Sequence, residues 1–143
     1  MGKTHQTIDV KAPVQVVWAA MRDFHDMQWS KNVVQECKAV GSIPGNQPGS
    51  KRLLNGVFSE TLLELDDDQC SFSYSIDDGP SPISPEDVTN YIGRVKIAPS
   101  GDGKDTVVEW SSSWDGSDEA YEFCHNIYVA VLNDLKSSLE RSG

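Results

Sequence analysis

The sequence predicts an α+β domain in which a curved antiparallel sheet of six to seven strands wraps around one long C-terminal helix. Between residues 33 and 114, hydrophobic side chains recur at every second position in a series of short segments, as in half-buried strands. After residue 117 they recur every third or fourth position, as in an amphipathic helix. A chain of 143 residues suits one hydrophobic core, so we expect a single domain over residues 1–143.

One strand and two short helices are predicted before the sheet proper. Residues 4–11 alternate loosely, with Gln6, Ile8 and Val10 on one face, and form the first strand. A helix then begins at Ala12-Pro13, because proline is well suited to the first helical turn. Residues 25–32 have the pattern of a second short helix, with Trp29 near its end.

Six further strands follow in series. They are predicted over residues 33–40, 50–54, 57–65, 70–76, 88–98 and 106–114. Asn55-Gly56 is a hairpin turn signal between the second and third of them. Consecutive strands joined by short turns form an antiparallel sheet, whose apolar face must be covered. We expect this sheet to close around the last helix.

The C-terminal segment predicts the covering helix. Ser117 suits the N-cap position, and the acidic residues Asp118 and Glu119 suit the positive end of a helix. At 1.5 Å per residue the helix would exceed about 30 Å and cross a small domain. A curved sheet wrapped around such a helix, the helix-grip arrangement, leaves a gap between the two. We expect an internal cavity of roughly a few hundred Å³ there.

The charge and hydropathy exclude several classes of partner. The formal net charge is -10, with 12 basic and 22 acidic residues, which disfavours nucleic acid and anionic membrane surfaces. Mean hydropathy is -0.43, and no apolar run approaches the roughly 20 residues of a membrane-spanning helix. The N-terminus lacks the apolar region of a signal peptide, so a cytoplasmic location is expected. The oligomeric state is not specified by these features.

Neither a metal nor a cofactor is expected. Cys37, Cys70 and Cys124 are odd in number and widely spaced, so we interpret them as small buried hydrophobic residues. The sequence holds no HExxH or paired-cysteine metal motif, no GxGxxG or P-loop, and no GxSxG nucleophile motif.

Short segments along nearly the whole chain form an ordered series of motifs: residues 12–18 (APVQVVW), 22–24 (RDF), 49–52 (GSKR), 60–66 (ETLLELD), 72–76 (FSYSI), 78–80 (DGP), 91–93 (YIG) and 108–112 (VEWSS). In order and spacing they resemble the START-like, birch-pollen-allergen-like superfamily (SRPBCC), in its polyketide cyclase/dehydrase branch. The sequence is most similar to bacterial relatives of the plant lachrymatory factor synthase. It departs from that pattern in a short hairpin over residues 52–60 and a longer loop over 81–87.

The resemblance implies a cavity but not a reaction, since members bind lipids, hormones, flavonoids, quinones or polyketides and a minority are enzymes. It also implies that Arg52, Glu60 and Tyr91 are cavity residues. A three-residue turn about Gly56 would place Arg52 opposite Glu60, whereas a two-residue turn would pair it with Ser59. The alternative is an ordinary exposed cross-strand ion pair.

The remaining candidate ligand contacts lie on predicted inner faces and helix positions: Trp29, Leu54, Phe58, Tyr74, Trp110, Trp114, His125 and Tyr128. Inward aromatic side chains are more often core than ligand contacts, although core residues also form the walls of a cavity. A lone helical histidine is more often structural or solvated than catalytic. The loop over residues 77–87 is rich in proline and glycine, and we expect it to be a lid.

Three functions are compatible with these features. The leading one is a binding or transport protein for a small, largely apolar molecule. The second is a cofactor-free cyclase, dehydratase or isomerase with Glu60 as acid/base, Arg52 as electrostatic partner and Tyr91 as donor to a substrate oxygen. A protein-interaction module is the third. Arg52 would favour ionised Glu60 and burial would oppose it.

Overall fold

The computed structural model describes residues 2–101 and 103–140. Its elements, in chain order, are β1 (Gly2–Val10), α1 (Val14–Met21), a 3₁₀ turn (Gln28–Ser30), β2 (Cys37–Val40), β3 (Lys51–Leu54), β4 (Phe58–Asp66), β5 (Ser71–Asp78), β6 (Val88–Pro99), β7 (Thr106–Gly116) and α2 (Ala120–Leu139). The α+β prediction, with one strand before the helices and six after them, is confirmed.

The seven strands form one sheet in the order β1-β7-β6-β5-β4-β3-β2, and every neighbouring pair is antiparallel. The edge strands β1 and β2 do not pair with each other, so the sheet is open and the prediction of a closed sheet was wrong. The reason lies before β2, where the chain docks on α2 instead of extending the sheet. Asp134 of α2 accepts hydrogen bonds from Ser30 Oγ (3.0 Å) and from the backbone and side chain of Asn32 (3.1 and 2.9 Å).

The second helix is much shorter than the sequence predicted. Of residues 25–32, only Gln28–Ser30 form a 3₁₀ turn. Upstream, Asp23 accepts a hydrogen bond from the backbone N–H of His25, and Asp26 accepts one from that of Gln28 (2.9 and 3.0 Å). Such local bonds from aspartate compete with a regular helix. Residues 33–36 are likewise turn and bend, not strand.

Helix α2 begins later than expected, with Glu119 as N-cap and no side-chain capping bond. Ser117 Oγ instead accepts a hydrogen bond from the backbone N–H of Glu119 (3.1 Å) in the turn before the helix. The buried face of α2 packs toward the sheet and consists of Ala120, Cys124, Tyr128, Val131, Leu132 and Leu135. No helix within residues 2–101 and 103–140 is long and apolar enough to cross a bilayer.

Strand irregularities give the sheet its bend. The β4–β5 ladder shifts register between Ser59 and Glu60 and between Leu62 and Glu64, and the β6–β7 ladder shifts between Thr89 and Ile92. Such bulges bend a strand and increase its local twist. The region covered by α1 is filled, since Val17, Trp18 and Met21 are buried and do not line a cavity. The unfilled space between the sheet and α2 lies next to the loop that follows β5, which contributes Pro80 and Ile83 to its lining.

Candidate ligand-binding site

A cavity of about 350 Å³ lies between the sheet and α2, within the range of small-ligand sites. Its walls are mainly aliphatic and aromatic, and the only charged side chains among the described lining residues are Arg52 and Glu60. The lining residues are Met27, Val33, Val34, Arg52, Leu54, Asn55, Phe58, Glu60, Tyr74, Ile76, Pro80, Ile83, Trp110, Phe123, Cys124, Ile127, Tyr128 and Val131.

The turn between β3 and β4 places the charged pair in the cavity wall. Leu54 pairs with Phe58, which leaves a three-residue turn, and Arg52 therefore pairs with Glu60. Arg52 Nε donates to Glu60 Oε1 (2.8 Å), and Nη2 lies 2.7 Å from the same oxygen. The two side chains are only 3% and 6% exposed, so the alternative of a solvated surface pair does not apply.

The guanidinium of Arg52 is held on its other sides by the segment after α1. Nη1 donates to the carbonyl of Phe24 (3.1 Å) and contacts Met27 Sδ (3.5 Å). The guanidinium carbon lies 3.8 Å from the centre of the Phe24 ring, a cation–π geometry. Arg52 is thus fixed in orientation before any ligand arrives.

Glu60 retains an oxygen that Arg52 does not occupy. Within the described residues, Oε2 accepts no hydrogen bond, and the one fully buried side-chain nitrogen or oxygen atom that lacks a partner is Trp29 Nε1. Oε2 is therefore not sealed in the protein, and the accessible space next to Glu60 is the cavity. Burial raises the pKa of Glu60, opposed by the charge and hydrogen bond of Arg52 and assisted by Asp77.

A chain of buried hydroxyl groups runs from the cavity wall into the core. Trp110 Nε1 donates to the Tyr74 hydroxyl (3.1 Å), which hydrogen-bonds to the Tyr128 hydroxyl (2.8 Å). Tyr128 in turn hydrogen-bonds to the hydroxyl of Tyr91 (2.5 Å). Burial raises the pKa of all three phenols, so they act as neutral hydrogen-bonding groups.

Tyr91 itself does not line the cavity. Its ring is stacked on Trp114, with centroids 5.5 Å apart, and its hydroxyl reaches the cavity only through Tyr128. Further into the core, the hydroxyl groups of Ser112 and Thr4 are hydrogen-bonded to each other (2.6 Å). The structure therefore brings Arg52 and Glu60 together and places Tyr91 one residue behind the wall.

Five of the predicted ligand contacts line the cavity, namely Leu54, Phe58, Tyr74, Trp110 and Tyr128. The other three do not, which corrects the expectation that they form its walls. Trp29 is buried outside the lining, Trp114 packs on Tyr91 and donates to the Ser117 carbonyl (2.8 Å), and His125 contacts Gln6 Oε1 through Nδ1 (3.1 Å).

The remaining wall residues, which the sequence reasoning did not name one by one, fall into three groups. Phe123, Cys124, Ile127 and Val131 lie on the apolar stripe of α2 around Tyr128, and that periodicity could have identified them. A second group comes from loops or irregular positions whose inward orientation has no sequence signal: Met27, Val33, Val34, Asn55, Pro80 and Ile83. Ile76 is the third case: it lies two residues after Tyr74 on β5, so the same period-two pattern that indicated Tyr74 also indicated Ile76.

The loop over residues 79–87 borders the cavity. Ile83 is 2% exposed and inserts beneath the loop, so close to Gly79 that a Cβ there would lie 2.6 Å from Ile83 Cδ1. Pro80 also lines the cavity but is exposed, and marks its rim. Beside it, Phe58 of β4 contacts Phe123 of α2, with ring centroids 6.4 Å apart. Mobility of this loop stays a prediction.

Among the described residues, no three His, Cys, Asp or Glu side chains are grouped as metal ligands would be. Of the cysteines, only Cys124 is fully buried, while Cys37 and Cys70 are partly exposed, so the burial expected for all three holds for one. Burial raises the pKa of the Cys124 thiol, which keeps it in the neutral form.

The chain resembles known proteins over nearly its whole length. The pattern of the family described as polyketide cyclase/dehydrase and lipid transport matches residues 1–140. No curated protein matches the sequence. A solved structure of a Nitrosospira multiformis protein is 39% identical with a TM-score of 0.93, covering 96% of this chain and 95% of that one.

More distant structures have the same fold. The protein XoxI of Bacillus cereus is 23% identical with a TM-score of 0.82, covering 99% of this chain and 97% of its own. Major latex-like protein 151 of Panax ginseng is 17% identical with a TM-score of 0.77, covering 96% and 97%. These likenesses confirm the helix-grip fold. The narrower likeness to lachrymatory factor synthase stays a prediction.

Proposed function

Because the chain belongs to the family of polyketide cyclases/dehydrases and lipid-transport proteins, we propose that it binds a small, largely apolar molecule in the cavity, as a binding or transport protein. Family membership supports a hydrophobic ligand in general. The observation that carries the proposal is the cavity itself, whose walls are mainly aliphatic and aromatic side chains.

The arrangement of the walls suits such a ligand. Transfer of apolar surface from water into the cavity is favourable by roughly 25 cal/mol per Å². The Arg52–Glu60 pair supplies charged groups in this wall, and a few placed polar groups in an apolar site fix the orientation of a ligand. Two exposed rim residues, Asn55 and Pro80, lie at the entry.

Binding of the neutral fluorescent dye Nile red tests this proposal. Ile127→Trp adds bulk to a cavity wall, whereas Val129→Trp adds it on the exposed face of the same helix. We expect Nile red to bind the unmodified protein and Val129→Trp equally, and Ile127→Trp at least about tenfold more weakly, since overfilling a site removes ligand contacts. Equal binding by all three proteins would place the dye elsewhere and contradict the proposal.

A second candidate function is cofactor-free acid/base catalysis. It is favoured by one observation, the unpaired Oε2 of a carboxyl group whose pKa is raised by burial. A raised pKa brings a carboxyl group closer to the range in which it exchanges protons at neutral pH. Arg52 would then stabilise developing negative charge, and Tyr91 would act indirectly, through Tyr128.

Glu60→Gln separates the two functions. An acid/base enzyme should lose about 10²- to 10⁴-fold in turnover while ligand binding survives. A carrier has no turnover to lose. Tyr91→Phe is the companion variant, and normal turnover in both variants would assign the three residues a structural role. The cytoplasmic location and the absence of nucleic-acid binding stay predictions.

A further inference from the structure

The positive and negative charges of Arg52 and Glu60 cancel each other in the cavity wall. In the part of the chain that the structure describes, Arg52 and Glu60 are the sole charged residues of the lining, and they are in contact at 2.7 to 2.8 Å. Both side chains are almost completely buried, so water does little to screen either charge. A ligand that brought a further charge into this site would leave one charge without a partner in an apolar environment, which is costly.

The pair nevertheless has hydrogen-bonding capacity left. Glu60 Oε2 accepts no hydrogen bond from the described residues and can accept one from a ligand. Among those residues, Nη2 of Arg52 has no acceptor other than Oε1, although it carries two N–H groups. The pair therefore keeps one acceptor and one donor in the wall of a mainly apolar cavity.

The other polar groups of the wall are largely satisfied. The Tyr74 hydroxyl accepts from Trp110 and bonds to Tyr128, and the Tyr128 hydroxyl bonds to Tyr91 as well. Neither phenol can compensate a ligand charge, because both are buried and neutral. Asp77, the charged group beyond the wall that acts on Glu60, is negative and disfavours a second anion.

We infer that the ligand has an uncharged head group that both donates and accepts hydrogen bonds, such as a carboxamide or a hydroxyl group, and that carboxylates are selected against. This inference rests on the proposed function and names the ligand class. The head group would donate to Oε2 of Glu60 and accept from Nη2 of Arg52. The apolar remainder would contact the side chains of the walls.

The decisive comparison uses decanamide and decanoate, which have the same shape and chain and differ in head-group charge. Both are titrated against Nile red bound to the full-length protein at neutral pH. We expect decanamide to compete about tenfold or more strongly than decanoate, the usual value of a hydrogen bond to a charged group together with an avoided buried charge. Decanoate of equal or higher affinity would overturn the inference.

Proton uptake provides a measurement that needs no variant. If decanoate binds at all, it should enter with a proton, taken by the ligand or by Glu60, so that the site stays neutral. Calorimetry in buffers of different ionisation enthalpy measures this uptake. We expect uptake with decanoate and none with decanamide. Binding of decanoate without uptake would contradict a site that excludes net charge.

Reversal of the preference tests the role of Glu60. Glu60→Gln leaves Arg52 as an unpaired cation, so decanoate should gain about tenfold relative to decanamide. Glu64→Gln makes the same chemical change on the exposed face of β4, and its preference should match that of the unmodified protein. No gain in Glu60→Gln would overturn the inference.

The two proposals fail differently. If Nile red does not bind the cavity, both the proposed function and the ligand class are rejected. If Nile red binds and neither decanamide nor decanol displaces it, the function stands and the head-group inference is rejected.

Discussion

The ring of Tyr74 lies directly over the backbone of Gly93, its partner on the neighbouring strand β6. A Cβ at position 93 would lie 2.5 Å from the Tyr74 hydroxyl oxygen and closer still to ring carbon Cζ. The absence of a side chain at Gly93 thus permits the position of a phenol that both lines the cavity and joins the hydroxyl chain.

Gly93→Ala should therefore destabilise the fold by about 1–3 kcal/mol, because Tyr74 must move in a packed interior. The measurement is the free energy of unfolding in urea. Gly101→Ala is the matched control, since a Cβ there meets nothing within 4 Å. An equal effect of the two substitutions would show that Tyr74 adapts without cost.

The buried ion pair should show strong coupling in a double-mutant cycle. Arg52→Met and Glu60→Leu should each cost about 3–5 kcal/mol, because each leaves an unpaired buried charge. The double variant should cost far less than their sum, since it leaves none. The exposed pair Arg22–Asp67, with N–O distances of 2.9 and 3.0 Å, should show much weaker coupling. Additive costs at positions 52 and 60 would contradict the pairing.

Glu60 and Asp67 should contribute to the pH dependence of stability with opposite signs. Burial raises the pKa of Glu60 above its ordinary value of 4.5, so its stabilising contribution is present below that pH and is lost as the pH rises through the folded pKa. The stability of the unmodified protein minus that of Glu60→Gln should accordingly fall as the pH rises above 4.5, by at most about 1.4 kcal/mol per pH unit.

Asp67 gives the contrasting case. Its hydrogen bonds from Arg22 and Trp18 lower its pKa below 3.8, so its contribution is present above that pH and is lost as the pH falls through the folded pKa. Asp67→Asn compared with the unmodified protein should therefore show a difference that shrinks at low pH. The same sign for both acids would refute the assignment of the shifts.

Tyr128 is the central hydroxyl of the buried chain. Tyr128→Phe removes a partner from both Tyr74 and Tyr91, and should destabilise by about 1–3 kcal/mol through unsatisfied buried groups. Tyr121→Phe, on the exposed face of the same helix, should change stability by less than about 0.5 kcal/mol. Thermal or chemical unfolding compares them. A negligible effect at Tyr128 would mean that the neighbouring hydroxyls find other partners.

The loop over residues 79–87 should exchange its amide hydrogens faster than the central strands, and more slowly when a ligand is bound. Ile83 anchors the loop through a buried side chain, so Ile83→Ala should accelerate exchange there. Ile43→Ala, at an exposed site, should not. Exchange as slow as that of β6, with or without ligand, would contradict the lid.

The strand and helix periods are visible in the sequence because burial on one face imposes them, and they predicted six of the seven strand positions closely. The exception is β2, where Val33 and Val34 turn inward to the cavity and the strand begins only at Cys37. The pairing of Arg52 with Glu60 depended on a turn of two or three residues, which the Asn55-Gly56 signal does not distinguish.

Burial of single side chains was less predictable than the elements that carry them. Trp114 and Tyr74 both occupy inward positions of the period-two pattern on their strands. Trp114 packs against Tyr91 in filled core, whereas Tyr74 lines the cavity. His125 follows the wall residue Cys124 in sequence, but successive side chains of a helix point in different directions, and His125 contacts Gln6 instead of the cavity. Such differences depend on contacts between distant segments, which a single sequence does not encode locally.

The turn formed by Asn55, Gly56 and Val57 has a consequence for how the protein tolerates change. Loss of one residue from a surface turn is ordinarily among the mildest alterations. A change to a two-residue turn with no residue lost would have a larger effect, because it would move the strand register by one and Arg52 would face Ser59 instead of Glu60. An exposed three-residue spacer thereby governs whether the interior is electrically balanced, and its length is as much a part of the binding chemistry as the two charges themselves.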